Sequence, residues 1–350
     1  MFHTEREIMT QQDALEKTFW EIRKARGNCP AFFEARRFVF MGCGSSYMMA
    51  KTAARMFAAK PGVNAYAVAG GDYIMDPGLY RHMVENSLVV FLSRSGRTSE
   101  ILLAAGEVRA CKGVRVASVV MAQECPLEKL SDMAFKLPWA FDESVCQTRT
   151  ISNFYAALLL LSALYDNDRA LEGELKTAIL QTGQFLLEYR PRLAAIAAKG
   201  FADAVVLAGG VLCGIGEEAA LAFTEISMTP GRYHHLLDYR HGPVVLNSKK
   251  TLTLLALRPG MEKLQGDLLK DIQKHGGTTV VLCPEGCEGL YPSDLTIPAR
   301  GLTLYAALGL HLIAAAQLAA LLKALQSGID PDTPQGLDAF ISLSAEETSK

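Results

Sequence analysis

Ser93, Arg94, Ser95, Gly96 and Thr98 stand together in SRSGRTSE, between an apolar run, Leu88 to Leu92, and a helical pattern, Ile101 to Cys111. Hydroxyls and the unsatisfied amides of a helix start donate several hydrogen bonds to one anion, and glycine permits the tight turn that gathers them. Phosphate is the expected guest. Neither GxxxxGK[ST] nor GxGxxG occurs, so no nucleotide loop of those kinds is indicated. Ordinary capping by Ser and Thr accounts for the same residues without a ligand. GCGSS, with Gly44, Ser45 and Ser46, is a second turn of this kind, and QTRT, with Gln147 and Thr148, is a third polar helix start. In a parallel sheet such turns share the C-terminal edge, and three of them together favour a sugar-phosphate pocket. Cys43 has no histidine beside it in the sequence and reads as a small apolar filler.

A second group of residues lies in EEAALAFTEISMTPGRYHHLLDYRHGP, Glu217 to Pro243. Glu218 and Glu225 fall on one face of a predicted helix. Glu225 sits in the apolar run AALAFTEISM, a setting that raises a carboxyl pKa and suits a general acid or base. A solvated helix face explains both glutamates equally. His234, His235 and His241 cluster nearby, but HHxxxxxH is no zinc spacing, so no metal is expected. His241 precedes Gly-Pro, where an element stops. That is a rigid mount for an acid–base group, or for a structural histidine.

These residues need a frame to hold them. Phe38 to Met41, Leu88 to Leu92, Val114 to Met121 and Phe135 to Pro138 read as strands separated by helices, and Val205 to Gly210, Leu252 to Leu257 and Val280 to Cys283 repeat the rhythm. Such alternation predicts parallel sheets covered on both faces. SDMAFKLP at Ser131 is echoed by SDLTIPAR at Ser293, and YAAL at Tyr155 by YAAL at Tyr305, which suggests two tandem copies of one unit. The expected division is an N-terminal helical segment at 1–34, a first domain at 35–166, linking helices at 167–199 with a break at EYRPR, a second domain at 200–342, and a tail at 343–350.

Composition narrows the function. With 350 residues, one small core is not enough. Lys plus Arg is 35 against 37 for Asp plus Glu, so nothing favours a nucleic-acid partner. The eight cysteines form no disulfide framework or zinc pattern, and MFHTEREIMTQQ lacks a signal-peptide core, so a cytoplasmic protein is expected. The apolar run Tyr305 to Leu322 contains His311 and Gln317 and reads as a buried helix rather than a membrane span.

At GCGSS, SRSGRTSE, QTRT, TEIS and DYRHGP the chain resembles the two-domain sugar isomerase (SIS) family, over roughly residues 35 to 342. Relatives of that type include the isomerase half of glucosamine-6-phosphate synthase and the SIS-type amino-sugar-phosphate deaminases. The resemblance implies an α/β fold of two tandem SIS domains, each a flavodoxin-like three-layer α/β/α sandwich with a central parallel sheet. It implies that Ser45, Ser93, Arg94, Ser95 and Thr98 hold a phosphate. Glu225 would move a proton between C1 and C2 through an enediol, and His241 would assist ring opening from the other subunit of a homodimer. No cofactor is implied. The expected activity is aldose–ketose isomerisation or deamination of a hexose-6-phosphate or amino-hexose-6-phosphate. The alternatives are a fructosamine-6-phosphate deglycase and a non-catalytic sugar-phosphate sensor. Two departures stand out: Asp238 replaces a family glutamate, and the family's C-terminal lysine aligns with Ala339.

Overall fold

The computed structural model describes residues 1–338, so Ala339 lies outside the described residues. The chain divides into two compact units. The first comprises Lys17–Phe141 and Arg149–Asp168, and the second comprises Met1–Glu16, Asp142–Thr148 and Arg169–Leu337.

The first unit holds β1 (Arg37–Gly42), β2 (Asn64–Ala69), β3 (Leu88–Ser93), β4 (Arg115–Val120) and β5 (Met133–Lys136). They form one parallel sheet in the order β2-β1-β3-β4-β5. Side chains alternate across a strand, and β1 shows how both faces are filled. Phe38 and Phe40 point to a cluster of rings, with Phe38 and Phe57 centroids 4.7 Å apart. Val39 and Met41 join Val89, Phe91 and Ile101 on the opposite face. Helix α1 (Ser45–Ala58) follows β1, α2 (Ser99–Val108) follows β3, and α3 (Arg149–Asp166) packs on α1.

The second unit holds β6 (Asp203–Ala208), β7 (Gly231–His235), β8 (Thr251–Ala256), β9 (Thr278–Pro284) and β10 (Leu295–Ala299). Their parallel order is β10-β9-β8-β6-β7, the first sheet's order over again. The SD echo has a structural meaning. Asp132 accepts a hydrogen bond from the Val116 amide at 2.8 Å, and Asp294 accepts one from the Thr279 amide at 2.8 Å. Each aspartate thus ties the start of its sheet's last strand to the strand beside it. The YAAL echo has no such meaning. Tyr155 lies inside α3, whereas Tyr305 opens a short 3-10 turn.

Helices α4 (Arg169–Ala198), α5 (Cys213–Ser227), α6 (Glu262–Lys274) and α7 (Gly309–Ser327) belong to this unit. The expected break at EYRPR is absent, because α4 runs unbroken through Pro191. The carbonyl that Pro191 cannot pair belongs to Leu187, a residue 63% exposed, so water can take the missing donor's place. The apolar segment Tyr305–Ser327 is long enough to cross a membrane, but 89% of its most apolar window is buried inside the protein.

Three strands escaped the sequence reading. β2, β7 and β10 are edge strands, and β7 reads GRYHH with no fully buried residue. A strand at a sheet's edge need not carry the continuous apolar run that marks central strands such as β3.

Candidate functional site

In the first unit β1 and β3 are neighbours, and their chain continuations diverge to β2 on one side and β4 on the other. The crevice at the C-terminal ends of such a strand pair is where open α/β sheets receive ligands. Both hydroxyl-bearing turns open there: Gly42–Ser46 from β1, and Ser93–Thr98 from β3.

The first turn is tight. A Cβ on Gly42 would lie 2.4 Å from the Ser46 carbonyl carbon, so only glycine lets the strand pass directly into α1. Ser45 and Ser46 are 4% and 5% exposed. Cys43 is half-buried, and burial first, then the nearby Glu100 carboxylate, pushes its thiol up to about 11. A thiol so protonated is no nucleophile at neutral pH, in keeping with the filler reading.

The second turn is held from within. The Ser93 hydroxyl accepts the Gly96 amide proton at 3.0 Å, and the Ser95 hydroxyl accepts that of Arg97 at 3.2 Å. Each hydroxyl retains its own proton to donate to an anion. Gly96 has φ +59°, and a Cβ there would meet Cys125 Sγ at 2.3 Å. Thr98 stands at the N-cap of α2 yet makes no capping hydrogen bond. Ordinary capping therefore does not account for Thr98. The two arginines separate cleanly. Arg94 is buried, with its guanidinium 5.8 Å from the Phe141 ring, whereas Arg97 is exposed and reaches the Glu124 carbonyl. Glu100, passed over in the sequence, carries a buried Oε2 with no hydrogen-bond partner among the described residues.

The remaining candidates belong to the second unit. Thr148 is buried, its amide donating to Asp142 Oδ2 at 2.8 Å and its hydroxyl lying 3.3 Å from Asp142 Oδ1. Its carbonyl accepts from Gln317 at 2.8 Å. Thr148 is thus tied into its own unit, while the Oε1 of Gln147 is buried with no partner among the described residues. Glu225 lies near the end of α5 and is half-buried. The deeply buried carboxylate of that helix is Glu218, 1% exposed, and the helix packs against α7.

The histidine cluster spreads over three settings. His234 lies half-buried on β7, its ring 5.4 Å from Tyr239, and burial followed by the Arg232 charge lowers its pKa. His235 ends the strand. His241 is exposed, its amide bonded to the Asp238 carbonyl at 2.9 Å, ahead of Gly242 and Pro243. Asp238 is also exposed and lies 3.7 Å from His235 Nδ1. Among the described residues no group of three His, Cys, Asp or Glu side chains is placed to hold a metal.

Residues 31–166 match the family model of the SIS domain. A glutamine–fructose-6-phosphate aminotransferase (isomerizing) of Shewanella oneidensis is 25% identical over 321 residues, covering 87% of this chain. The chain spans about half the length of that relative, 51%. A D-galactosamine-6-phosphate deaminase of another Shewanella strain is 26% identical, with 77% of this chain and 69% of the relative covered. Among solved structures, a glucosamine-6-phosphate deaminase of Thermotoga maritima superposes with a TM-score of 0.80 at 25% identity, covering 97% of this chain and 100% of the other.

Proposed function

We propose, from the premise that this chain is a member of the SIS-domain family, that it is a phosphosugar isomerase or deaminase acting on a hexose-6-phosphate or amino-hexose-6-phosphate. The observation that carries the reading is the pair of hydroxyl-bearing turns at the switch point between β1 and β3, with the buried Arg94 beside them. Ser45, Ser46, Ser93, Ser95 and Thr98, with the amides around Gly44 and Gly96, bind the phosphate. Fixing that group supplies the orientation that proton transfer elsewhere on the sugar needs.

Glu225 is the general base that moves the proton between C1 and C2 through an enediol. His241 opens the sugar ring, contributed to the site of the second subunit in a homodimer. Its exposure on a rigid turn before Gly-Pro supports that assignment. Gln147 and Thr148 close the sugar site. Both units are SIS domains in this reading, since their strand orders coincide.

The test is a panel of glucosamine-6-phosphate, galactosamine-6-phosphate, fructose-6-phosphate, tagatose-6-phosphate and a fructosamine-6-phosphate, with ammonia, ketose and aldose read separately. Ammonia from one amino sugar, lost in Glu225→Gln, establishes a deaminase. Aldose formation from fructose-6-phosphate or tagatose-6-phosphate, without ammonia, establishes an isomerase. Release of an amino acid from the fructosamine compound establishes a deglycase. Binding without turnover of any compound rejects the enzymatic reading in favour of a sensor.

A further inference from the structure

The second unit has its own crevice at the place that corresponds to the first unit's phosphate turns. There β6 and β8 are neighbours, and their continuations diverge to β7 and β9. Their C-terminal ends run into Gly209–Gly210 and into Leu257–Arg258–Pro259–Gly260. A cavity of about 170 Å³ opens there. No residue of this crevice belongs to the machinery assigned above.

An arginine and a histidine side chain converge on the glycine turn. A Cβ on Gly210 would lie 3.8 Å from Arg258 Nη1, and a Cβ on Gly209 would lie 2.9 Å from His235 Nε2. The Arg258 guanidinium makes no hydrogen bond or ion pair with any described residue. It lies over the Tyr305 ring, 5.6 Å from the centroid. Its backbone is clamped by the buried Gln265 of α6, which accepts the Arg258 amide proton at 2.6 Å and donates to its carbonyl at 2.8 Å. The turn is fixed as well, since the Gly209 amide donates to the Tyr305 hydroxyl at 3.2 Å, and that hydroxyl donates to the Ala256 carbonyl at 3.1 Å. The cation is therefore mounted on a rigid frame, and no carboxylate lines the cavity to neutralise it.

The walls differ from those of the first unit. Where Ser93 and Ser95 stand after β3, the turn after β8 carries no hydroxyl. The Tyr305 hydroxyl is spent on the backbone, and the rest of the lining is Leu236, Leu237, Met261 and Leu264. A polyhydroxylated sugar finds few partners for its hydroxyls in such a pocket, whereas an apolar body finds dispersion and burial. We propose that this crevice is a second binding site, for a small organic anion: a carboxylate or phosphate monoester on an apolar or aromatic body. The anion pairs with Arg258 and the Gly209–Gly210 turn, and the body lies against Tyr305, Met261 and Leu264.

The test is calorimetric titration of the full-length protein with phenyl phosphate, benzoate, inorganic phosphate and the neutral benzyl alcohol. Phenyl phosphate, benzoate or both should bind more tightly than inorganic phosphate and benzyl alcohol. Which of the two binds distinguishes phosphate from carboxylate. Arg258→Gln should weaken that binding about tenfold or more, the usual loss for one charge-assisted hydrogen bond. Leu264→Glu, at an exposed wall position that folding tolerates, should do the same by repulsion. The titrations are made with fructose-6-phosphate saturating the first crevice, and Arg97→Gln, at an exposed position outside the binding machinery, should leave this binding unchanged. Binding of both anions no tighter than benzyl alcohol overturns the proposal. So does inorganic phosphate binding as tightly as phenyl phosphate, or an affinity that Arg258→Gln leaves unchanged. Circular dichroism of each variant separates lost binding from lost folding.

Discussion

Thr98 offers a hydroxyl that its own helix leaves unused, and Arg94 offers a guanidinium held away from bulk water. Their chemistry yields the first prediction. Arg94→Gln should weaken fructose-6-phosphate binding by about tenfold to a hundredfold, because a sheltered cation is poorly screened. Arg97→Gln, at an exposed position, should change it by less than about threefold; titration calorimetry separates the two. Glu225→Gln should lower kcat by about 10²–10⁴, the usual span for a general base, with KM and thermal midpoint little changed. Equal turnover in the variant removes Glu225 from the chemistry. SRSGRTSE was legible without coordinates because a turn and the first turn of its helix are neighbours in the chain. The setting of Glu225 was not. The apolar text AALAFTEISM describes helix α5 as a whole, but the packing around that helix decides which glutamate is covered, and it is Glu218.

Among the elements, the turn between β3 and α2 has the narrowest tolerance. Gly96→Ala places a methyl group against Cys125 in a left-handed conformation, and should destabilise the fold by roughly 2–4 kcal/mol in denaturant titrations. An unfolding midpoint within error of the parent would show that Cys125 gives way freely. Helix α4 carries the opposite expectation. Pro191 costs a hydrogen bond in an exposed stretch of helix, so Pro191→Ala should raise stability, by up to about 3 kcal/mol before the looser unfolded chain offsets part of it. The central strands were readable from their apolar runs, and of the edge strands only β5 was. β3 is covered on both faces, whereas β7, with GRYHH, is held by backbone bonds to β6 that any side chains permit.

Across the two units, the acid limb of the stability curve is set in part by His311 of α7. Burial lowers its pKa to about 4, and its ring stacks on Phe185 with centroids 4.5 Å apart. A depressed histidine favours the neutral folded form. Its contribution is complete above the unfolded value of about 6.5 and is lost as pH falls from there towards 4, on the order of 3 kcal/mol in all. His311→Leu should flatten that part of a Tm-against-pH curve, and an unchanged slope would assign it to other groups. The subunit arrangement has its own test. If His241 serves the partner's site, mixing inactive Glu225→Gln with inactive His241→Asn and allowing exchange should restore about a quarter of parent activity, since half the pairs are mixed and each holds one intact site. No recovery, with exchange demonstrated, would confine His241 to its own subunit.

The local texts were enough for the parallel α/β class and the glycine–serine turns, because each is written within one strand, its turn and the following helix. Sheet order joins residues far apart in the chain, and so do the burial of Glu218 and the crevice that gathers Gly209, Arg258 and Tyr305. Long-range packing decides which side chains lose their water, and that loss sets whether a carboxylate, an imidazole or a guanidinium is spent on structure or left for a ligand.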